Sequence, residues 1–422
     1  MNPKLQELMR RGLQEHQAGQ FLEAKKVYQK VIDAEPDHAD ANHLLGVLSH
    51  QMGEAEIAVH LITRAIQNNP TVAGYHGNLG YALQALSMLD EAVASYQEAL
   101  RIDPNFAEAH MNLGNALVQQ DRSDEAITSY HKALTINPDY TEAHNNLGTL
   151  LQHLGRFDEA ISHFKGNDDI NTKARMLECL YGAGQTTAYN EILSEFCRSN
   201  PVDRRVAAIS AFAAHQLGAE NPYPFCKTPL NFIYTANVKS HLAPFDGFFE
   251  KVIKEIEYAP SIWEPLDNAA RGGFHTKGNL FDLGTPEILA LQDVIGEQIK
   301  EYRSLYADRE DGLIRQWPRN SKLYGWHIRL LKSGHLDPHY HPSGWLSGVF
   351  YLKIPKNITG DEATITFSLH GHDYPIRDKN IPTVQHFPKE GDLVLFPSSL
   401  FHFTTPFQSK EERHCVSFDM VP

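Results

Sequence analysis

Cysteine is scarce in this chain: four cysteines stand far apart among 422 residues, and none forms a CxxC pair. Disulfide frameworks and zinc fingers need closely spaced cysteines, so this usage argues against both and is typical of a reducing compartment. Long apolar runs are also missing, including at the start of the chain. The sequence therefore predicts neither a signal peptide nor a membrane-spanning helix, and we expect a cytoplasmic protein.

Basic residues are also fewer than acidic ones. The chain has 38 Lys and Arg against 52 Asp and Glu, which gives a formal net charge of -14. Surfaces that bind nucleic acid or an anionic membrane need a basic face, so neither partner is expected. The length leaves room for two or three domains with proper cores.

The first half of the chain is a repeat with a period of 34 residues. An alanine follows each glycine of the series by twelve residues, and a proline closes each of the first four units. The glycines are Gly12, Gly46, Gly80, Gly114 and Gly148. This pattern predicts helix-turn-helix units in which small residues sit where helices approach closely and proline ends the second helix. It is typical of the tetratricopeptide (TPR) repeat, whose units stack into a solenoid with a concave groove.

The repeat loses its phase after the fifth unit. A degenerate unit follows, with Gly184 and Pro201 at the usual loop and end positions, and then an apolar helix over residues 205–217. We therefore predict a TPR solenoid over residues 1–169 and degenerate or capping helices over 170–219. A separate domain is predicted over 220–422.

Three asparagines recur at one repeat position, Asn78, Asn112 and Asn146, each followed by Leu-Gly. This part resembles the TPR array of the O-linked N-acetylglucosamine transferase, whose asparagine ladder binds the backbone of substrate polypeptides. The resemblance implies that these three side chains bind substrate, since an amide offers both a donor and an acceptor. The alternative is that they form a solvated face of the first helix.

The second half has the pattern of a jelly roll. Two apolar helical segments, residues 247–256 and 286–306, precede a series of short strands separated by turns. The predicted strands are 323–331, 346–354, 363–369, 392–397 and 413–420. The predicted fold class is an α-solenoid followed by an α+β domain with a double-stranded β-helix core.

Three histidines form a candidate metal site. His339 and His341 are two residues apart, a spacing that points both imidazoles to one face of a strand. His402 follows 63 residues after His339, just beyond the apolar run 391–396. Imidazoles that converge from neighbouring strands hold a first-row transition metal while leaving coordination positions open for chemistry.

The residues around these histidines resemble a known family. The block 339–352 is similar to the HxHPxGWLSGVYY block of a bacterial family of 2-oxoglutarate/Fe(II) oxygenases, whose members often carry N-terminal TPR repeats. The segments 391–402 and 406–419 are similar to the closing part of that family, and the resemblance covers about residues 222–422. The run 338–341 also resembles the PHYD run of prolyl 4-hydroxylases.

This resemblance implies Fe(II) as cofactor, with 2-oxoglutarate and O2 as co-substrates. It implies that His339 and His402 are metal ligands. Arg413 would hold the distal carboxylate of 2-oxoglutarate through a bidentate pair, while Ser417 and Tyr351 would contribute hydrogen bonds.

One position departs from the family pattern, because His341 stands where the usual HxD…H triad has its aspartate. We expect a three-histidine site of His339, His341 and His402. Asp337, in the preceding His-Leu-Asp run, is the reserve ligand, and a site with two histidines and water is also left open. Arg413 could alternatively pair with a neighbouring glutamate in a solvated turn.

The sequence as a whole predicts an Fe(II)- and 2-oxoglutarate-dependent dioxygenase that hydroxylates a protein or peptide held in the TPR groove. Two other hypotheses stay open. The first is a non-catalytic TPR scaffold with a degenerate barrel, and the second is a cupin-like three-histidine enzyme that does not use 2-oxoglutarate. Self-association into a homo-oligomer is also left open.

Overall fold

The computed structural model describes residues 3–242, 247–264, 269–356, 358–371 and 374–422. The chain divides into two compact units, Met1–Thr172 and Lys173–Pro422. Within the described residues, no helix is long and apolar enough to cross a membrane.

The first unit is a series of antiparallel helix pairs. Its helices are α1 (Pro3–Gln17), α2 (Phe21–Ala34), α3 (Ala39–Gln51), α4 (Ala55–Asn68), α5 (Ala73–Ala85), α6 (Leu89–Ile102), α7 (Ala107–Gln119), α8 (Ser123–Ile136), α9 (Thr141–His153) and α10 (Phe157–Phe164). Each pair corresponds to one 34-residue repeat, so the predicted TPR solenoid is confirmed.

The repeat glycines allow the two helices of a unit to approach closely. In the fourth unit, a Cβ placed on Gly114 of α7 would lie 2.6 Å from Cε1 of Tyr130 on α8. The Tyr130 hydroxyl donates a hydrogen bond of 2.7 Å to Oδ1 of Asn115, which fixes the ring in place. Ala126, the repeat alanine of this unit, is fully buried. The 34-residue period of the glycines therefore results from the close contact between the two helices of each repeat.

The second unit begins with helices and continues into β-structure. Its helices are α11 (Ile170–Gly182), which starts just before the division between the units, α12 (Thr186–Ser199), α13 (Arg204–Gln216), α14 (Lys239–Leu242), α15 (Phe248–Ile256), α16 (Pro286–Leu305) and α17 (Gly312–Arg315). Helices α11 and α13 bond to the loop after residue 374: the Tyr181 hydroxyl donates to the carbonyl of Pro375 and the Gln216 amide donates to that of Asp378. The bounds predicted at residues 169 and 219 stay a prediction.

In the described residues, ten strands form two antiparallel sheets. They are β1 (Tyr234–Asn237), β2 (Ser261–Trp263), β3 (Ala270–Thr276), β4 (Lys322–Leu336), β5 (Leu346–Lys353), β6 (Ile365–Ser368), β7 (Thr383–His386), β8 (Asp392–Pro397), β9 (Phe401–Thr404) and β10 (Arg413–Val421). The larger sheet has the order β1-β8-β5-β10-β4-β3-β2 and the smaller one β7-β6-β9. A shared core that includes Ile328, Val349, Phe367 and Phe396 lies between the sheets.

The predicted jelly-roll core is therefore confirmed, and all five predicted strands are present within a few residues of their predicted ends. Strands β1, β2, β3, β7 and β9 were not predicted. The three residues of β2 are all exposed, and β7 is exposed at three of its four positions. Such short strands lack the apolar alternation by which a strand is recognised in a sequence.

We expect Gly114→Ala to destabilise the solenoid by roughly 1–3 kcal/mol, because the new methyl group overlaps the fixed ring of Tyr130. Gly74→Ala is the matched control, since Gly74 lies in α5 and a Cβ there meets no atom within 4 Å. That change should be neutral or stabilising by up to about 1 kcal/mol. Urea denaturation followed by circular dichroism measures both, and equal midpoints for the two variants would contradict the packing argument.

Candidate metal centre

Two chain segments that are distant in sequence meet at the predicted metal site. His339 and His402 form an isolated antiparallel bridge. The amide of His339 donates to the carbonyl of His402 at 3.1 Å, and the amide of His402 donates back at 2.9 Å. The amide of His341 donates to the carbonyl of Ser398 at 2.8 Å. These bonds align the segment after β4 with the turn and strand after β8.

The alignment brings the three predicted histidines together. One ring nitrogen from each of His339, His341 and His402 lies within 4.8 Å of those of the other two. The ring centroids are 5.2 Å apart for His339 and His341, 4.2 Å for His339 and His402, and 5.1 Å for His341 and His402. Within the described part of the chain, this is the one group of three or more His, Cys, Asp or Glu side chains with metal-binding spacing.

Hydrogen bonds on Nδ1 orient each imidazole. Nδ1 of His339 lies 2.7 Å from the carbonyl oxygen of Asp337, and Nδ1 of His402 lies 3.2 Å from that of Leu400. Nδ1 of His341 lies 2.6 Å from Oδ1 of Asp419. A carbonyl or carboxylate oxygen can only accept, so each Nδ1 is the donor and carries a proton. Neutral imidazoles held this way are suited to bind a metal through Nε2.

The surroundings of His402 favour the neutral state of its imidazole. Its side chain is only 4 % exposed. Burial, together with the neighbouring His339 and His341, lowers the pKa of His402 well below its usual range. The ring is therefore neutral at physiological pH, as a metal ligand must be.

The reserve ligand, Asp337, lies outside this group. Its side chain is 41 % exposed, and Oδ2 pairs with Nε of Arg271 at 2.9 Å. Its other carboxylate oxygen lies 3.4 Å from Nε2 of His335. The geometry thus favours His341 over Asp337 as the third ligand.

The three histidines line a cavity of about 280 Å³ in the barrel. Its wall combines apolar side chains with a few polar groups. The lining includes Trp326, Ile328, Leu336, Val349, Tyr351, Ile365, Phe396, Arg413, Cys415, Ser417 and Asp419. Alternate residues of β10, from Arg413 to Asp419, face into this space because side chains of a strand alternate between its two faces.

Arg413 is buried in the cavity wall with incomplete hydrogen bonding. The residue is 1 % exposed, and Nη2 donates a long hydrogen bond of 3.4 Å to the Tyr351 hydroxyl. Among the described residues, Nε and Nη1 have no partner. The neighbouring Glu412 instead pairs with Arg329 at 2.6 Å and with His414 at 3.0 Å. The surface pairing left open for Arg413 in the sequence is therefore not what the structure shows.

Sequence reasoning missed Asp419, whose carboxylate forms a hydrogen bond with His341. It lies inside the segment that resembles the closing part of the oxygenase family, but no role was inferred for it. The available signal was its spacing: Asp419 stands six residues after Arg413 on one strand and so shares its face.

The three repeat asparagines differ from one another within the first unit. Nδ2 of Asn78 donates to Nε2 of His43 at 2.8 Å, and Nδ2 of Asn146 donates to Oδ1 of Asn115 at 2.9 Å. Asn112 has no hydrogen-bond partner among the described side chains. Asn78 and Asn112 line a cavity of about 220 Å³ formed by α5, α7 and the start of α9.

Comparisons with known proteins match different families to the helical first unit and to the second unit of the chain. Residues 324–419 match the family described as "Putative 2OG-Fe(II) oxygenase". Residues 88–121 and 114–155 match a TPR repeat family, and residues 15–79 match a second tetratricopeptide repeat family. No curated protein matches the chain.

Several solved structures are similar to about half of the chain. A crystal structure of MamA is 22% identical and covers 42% of this chain and 97% of its own, with a TM-score of 0.34. The pilF protein of Pseudomonas aeruginosa is 19% identical and covers 49% of this chain and 97% of its own, with a TM-score of 0.44. A thermophilic TPR protein of Thermus thermophilus is 22% identical over 42% of this chain and 98% of its own, with a TM-score of 0.36. The family matches and the fold together identify this chain as a TPR-repeat protein with a C-terminal domain of the 2OG-Fe(II) oxygenase family.

Proposed function

We propose that this protein is an Fe(II)- and 2-oxoglutarate-dependent dioxygenase that hydroxylates a protein or peptide. The observation that carries the proposal is the buried Arg413, whose Nε and Nη1 have no partner among the described residues, in the cavity that also holds the three histidines. A buried guanidinium left incompletely paired costs free energy unless a ligand satisfies it. A carboxylate is the ligand whose geometry matches it.

The donor set fits ferrous iron. His339, His341 and His402 would hold the ion through Nε2 and leave its remaining coordination positions for co-substrate and O2. Bound Fe(II) would supply the redox chemistry that couples oxidative decarboxylation of 2-oxoglutarate to hydroxylation of a C–H bond.

The residues of β10 and β5 would hold the co-substrate. Arg413 would bind the distal carboxylate of 2-oxoglutarate through Nε and Nη1, while the Tyr351 hydroxyl keeps the guanidinium oriented through Nη2. Burial raises the pKa of Tyr351 far above its usual range, so this hydroxyl stays protonated and able to donate. Ser417 lies between Arg413 and Asp419 on the same face of β10 and would add a further hydrogen bond.

The apolar part of the wall has a separate role. Ile328, Val349 and Phe396 line the same cavity as Arg413, and each is at most 5 % exposed. A low-dielectric wall strengthens the pairing of carboxylate and guanidinium and excludes water from the reacting atoms. A cavity of this kind would suit a small dicarboxylate such as 2-oxoglutarate.

We expect His402→Ala to abolish tight Fe(II) binding, since it removes a buried ligand. Arg413→Met should leave Fe(II) binding in place but raise the Kd for 2-oxoglutarate by at least about 30-fold, the usual cost of unpairing a buried charge. Anaerobic titrations of Fe(II) and 2-oxoglutarate, followed by the weak visible absorption of the chelated complex, measure both effects.

Two controls match these variants. His335→Ala removes a histidine outside the metal-binding group. Arg329→Met removes an arginine on the neighbouring strand β4 that already pairs with Glu412. Both should behave like the wild type. Absence of Fe(II) binding in the wild type would favour the scaffold hypothesis, and Fe(II) binding without any 2-oxoglutarate binding would favour the cupin-like one.

The TPR part supports a polypeptide substrate, and its charges indicate which kind. TPR repeats generally mediate contacts between proteins. Helices α3, α5, α7 and α9, the first helices of repeats two to five, contain no Lys or Arg. We call the surface that they form the first-helix face. Basic residues are instead found on the second helices, where Arg101 pairs with Glu98 at 2.7 Å.

Two carboxylates on the first-helix face have no such partner. Among the described residues, neither Glu108 nor Glu142 takes part in an ion pair or hydrogen bond. Both line the 220 Å³ cavity, whose other walls include Tyr81, Phe106 and Tyr140. The pKa of Tyr140 is raised by burial and by the nearby charges of Glu142 and Glu108. Carboxylates beside aromatic rings fit the side chain of Lys or Arg, so we propose a substrate segment with basic residues.

We expect selection from a random peptide library against the wild-type protein to enrich Lys and Arg. The double variant Glu108→Gln with Glu142→Gln should weaken binding of the selected peptides by about 5- to 30-fold, since each such contact contributes about 0.5–1 kcal/mol. Fluorescence anisotropy at two salt concentrations measures the affinity and its electrostatic part.

The matched control is Glu98→Gln with Glu125→Gln. These two glutamates lie on second helices and pair with Arg101 and Arg122 at 2.7 Å. This variant should bind the selected peptides as the wild type does. Enrichment of acidic peptides, or equal losses in both double variants, would contradict a role for the first-helix face.

A further inference from the structure

The usual HxD…H triad has a carboxylate ligand at the position that His341 occupies in this chain. Here a carboxylate instead contacts the side chain of His341. Oδ1 of Asp419 accepts a hydrogen bond of 2.6 Å from Nδ1 of His341. Asp419 is 8 % exposed and lines the same cavity as the three histidines. In the usual triad this negative charge would belong to a ligand, whereas here it belongs to the partner of a ligand.

A chain of hydroxyl groups holds this carboxylate in position. The Ser347 hydroxyl donates to Oδ1 of Asp419 at 2.6 Å and lies 2.8 Å from the Ser398 hydroxyl. Ser347 is on β5, Ser398 directly follows β8, and Asp419 is on β10, so three separate segments meet here. Both serines are buried, at 0 % exposed. Such a fully connected buried network specifies one geometry for its members.

The backbone leaves room for this arrangement at Gly344. A Cβ on Gly344 would lie 2.5 Å from the Ser398 hydroxyl oxygen and 3.0 Å from Cγ of Asp419. A side chain at this position would displace the Ser398 hydroxyl and crowd the carboxylate of Asp419. Gly344 therefore leaves the space that the Ser398 hydroxyl and the Asp419 carboxylate occupy.

Backbone carbonyls face Nδ1 of the other two predicted ligands. His339 and His402 each donate to a backbone carbonyl, of Asp337 and Leu400 respectively. His341 uses the same ring nitrogen to donate to a carboxylate, that of Asp419. A carboxylate in this position fixes the tautomer and ring orientation of a ligating histidine and makes it a stronger donor.

We propose that Asp419 is a positioning residue that takes over, through His341, the role of the carboxylate ligand missing from this site. It holds Nε2 of His341 toward the metal and returns one negative charge to a site with three neutral ligands. This inference rests on the proposed function, because it requires that the three histidines bind a metal.

The test moves the carboxylate from position 419 to position 341 by substitution. Asp419→Asn alone should lower the affinity for Fe(II), and for Co(II) as a spectroscopic substitute, by about 10- to 100-fold. His341→Asp alone should also bind poorly, because two carboxylates would then face each other at short range. Adding Asp419→Asn to His341→Asp should raise the affinity again, since the repulsion is removed and the new amide can donate to the new ligand.

The expected result is therefore a change of sign: the same Asp419→Asn substitution weakens metal binding beside His341 and strengthens it in the His341→Asp background. Chelator competition under anaerobic conditions gives the affinities, and the visible spectrum of the Co(II) protein reports the ligand field. Neither readout depends on catalytic turnover.

Asp392→Asn is the matched control, because the buried Asp392 also pairs with a histidine, the partly buried His386, at 3.0 Å and lies outside the metal-binding group. It tests whether loss of any such pair disturbs the barrel, and we expect wild-type metal affinity. Wild-type affinity in Asp419→Asn, or an equal loss in both backgrounds, would overturn the inference while leaving the proposed function intact. A wild-type protein that binds no Fe(II) or Co(II) would overturn both.

Discussion

The pairing of His339 with His402 is the contact on which the rest of the site depends. Two backbone hydrogen bonds, of 3.1 and 2.9 Å, fix the register of two segments that are far apart in the chain. Side chains alternate along extended backbone, so this register sends His339, His341 and His402 into the barrel and sends Tyr340 and Phe401 to the opposite side. A slip of one residue would exchange the two sets and abolish the metal site.

The opposite side is held by helices that precede the barrel. Tyr340 packs edge-to-face on Phe401 at 5.0 Å, and Phe401 contacts Tyr374 at 5.6 Å. The Tyr374 hydroxyl donates to Oε1 of Glu178 on α11 at 3.2 Å. Burial raises the pKa of Tyr340 to about 12, in keeping with its enclosed position between the histidines and the helices. The histidine-bearing segments are therefore packed between the cavity on one side and this aromatic layer on the other.

The sequence predicted the features that depend on local periodicity. The 34-residue period showed the helix pairs because each repeat glycine meets the side chain sixteen residues later, as Gly114 meets Tyr130. The spacing of His339 and His341 predicted that both imidazoles point to one side, and the structure groups them with His402 although neither lies in a named strand. The sequence could not show that Asp419 bonds to His341, since that contact depends on strand register across 78 residues. Nor could it decide whether Arg413 is buried, because Lys-Glu-Glu-Arg is also a common surface turn.

The most direct test of the account is a crystal structure of the full chain grown anaerobically with Fe(II), with an anomalous difference map recorded at the iron absorption edge. The account predicts one strong peak within bonding distance of Nε2 of His339, His341 and His402, with Nδ1 of His341 still bonded to Asp419. A peak bound by Asp337, or no peak at the three histidines at saturating iron, would contradict it.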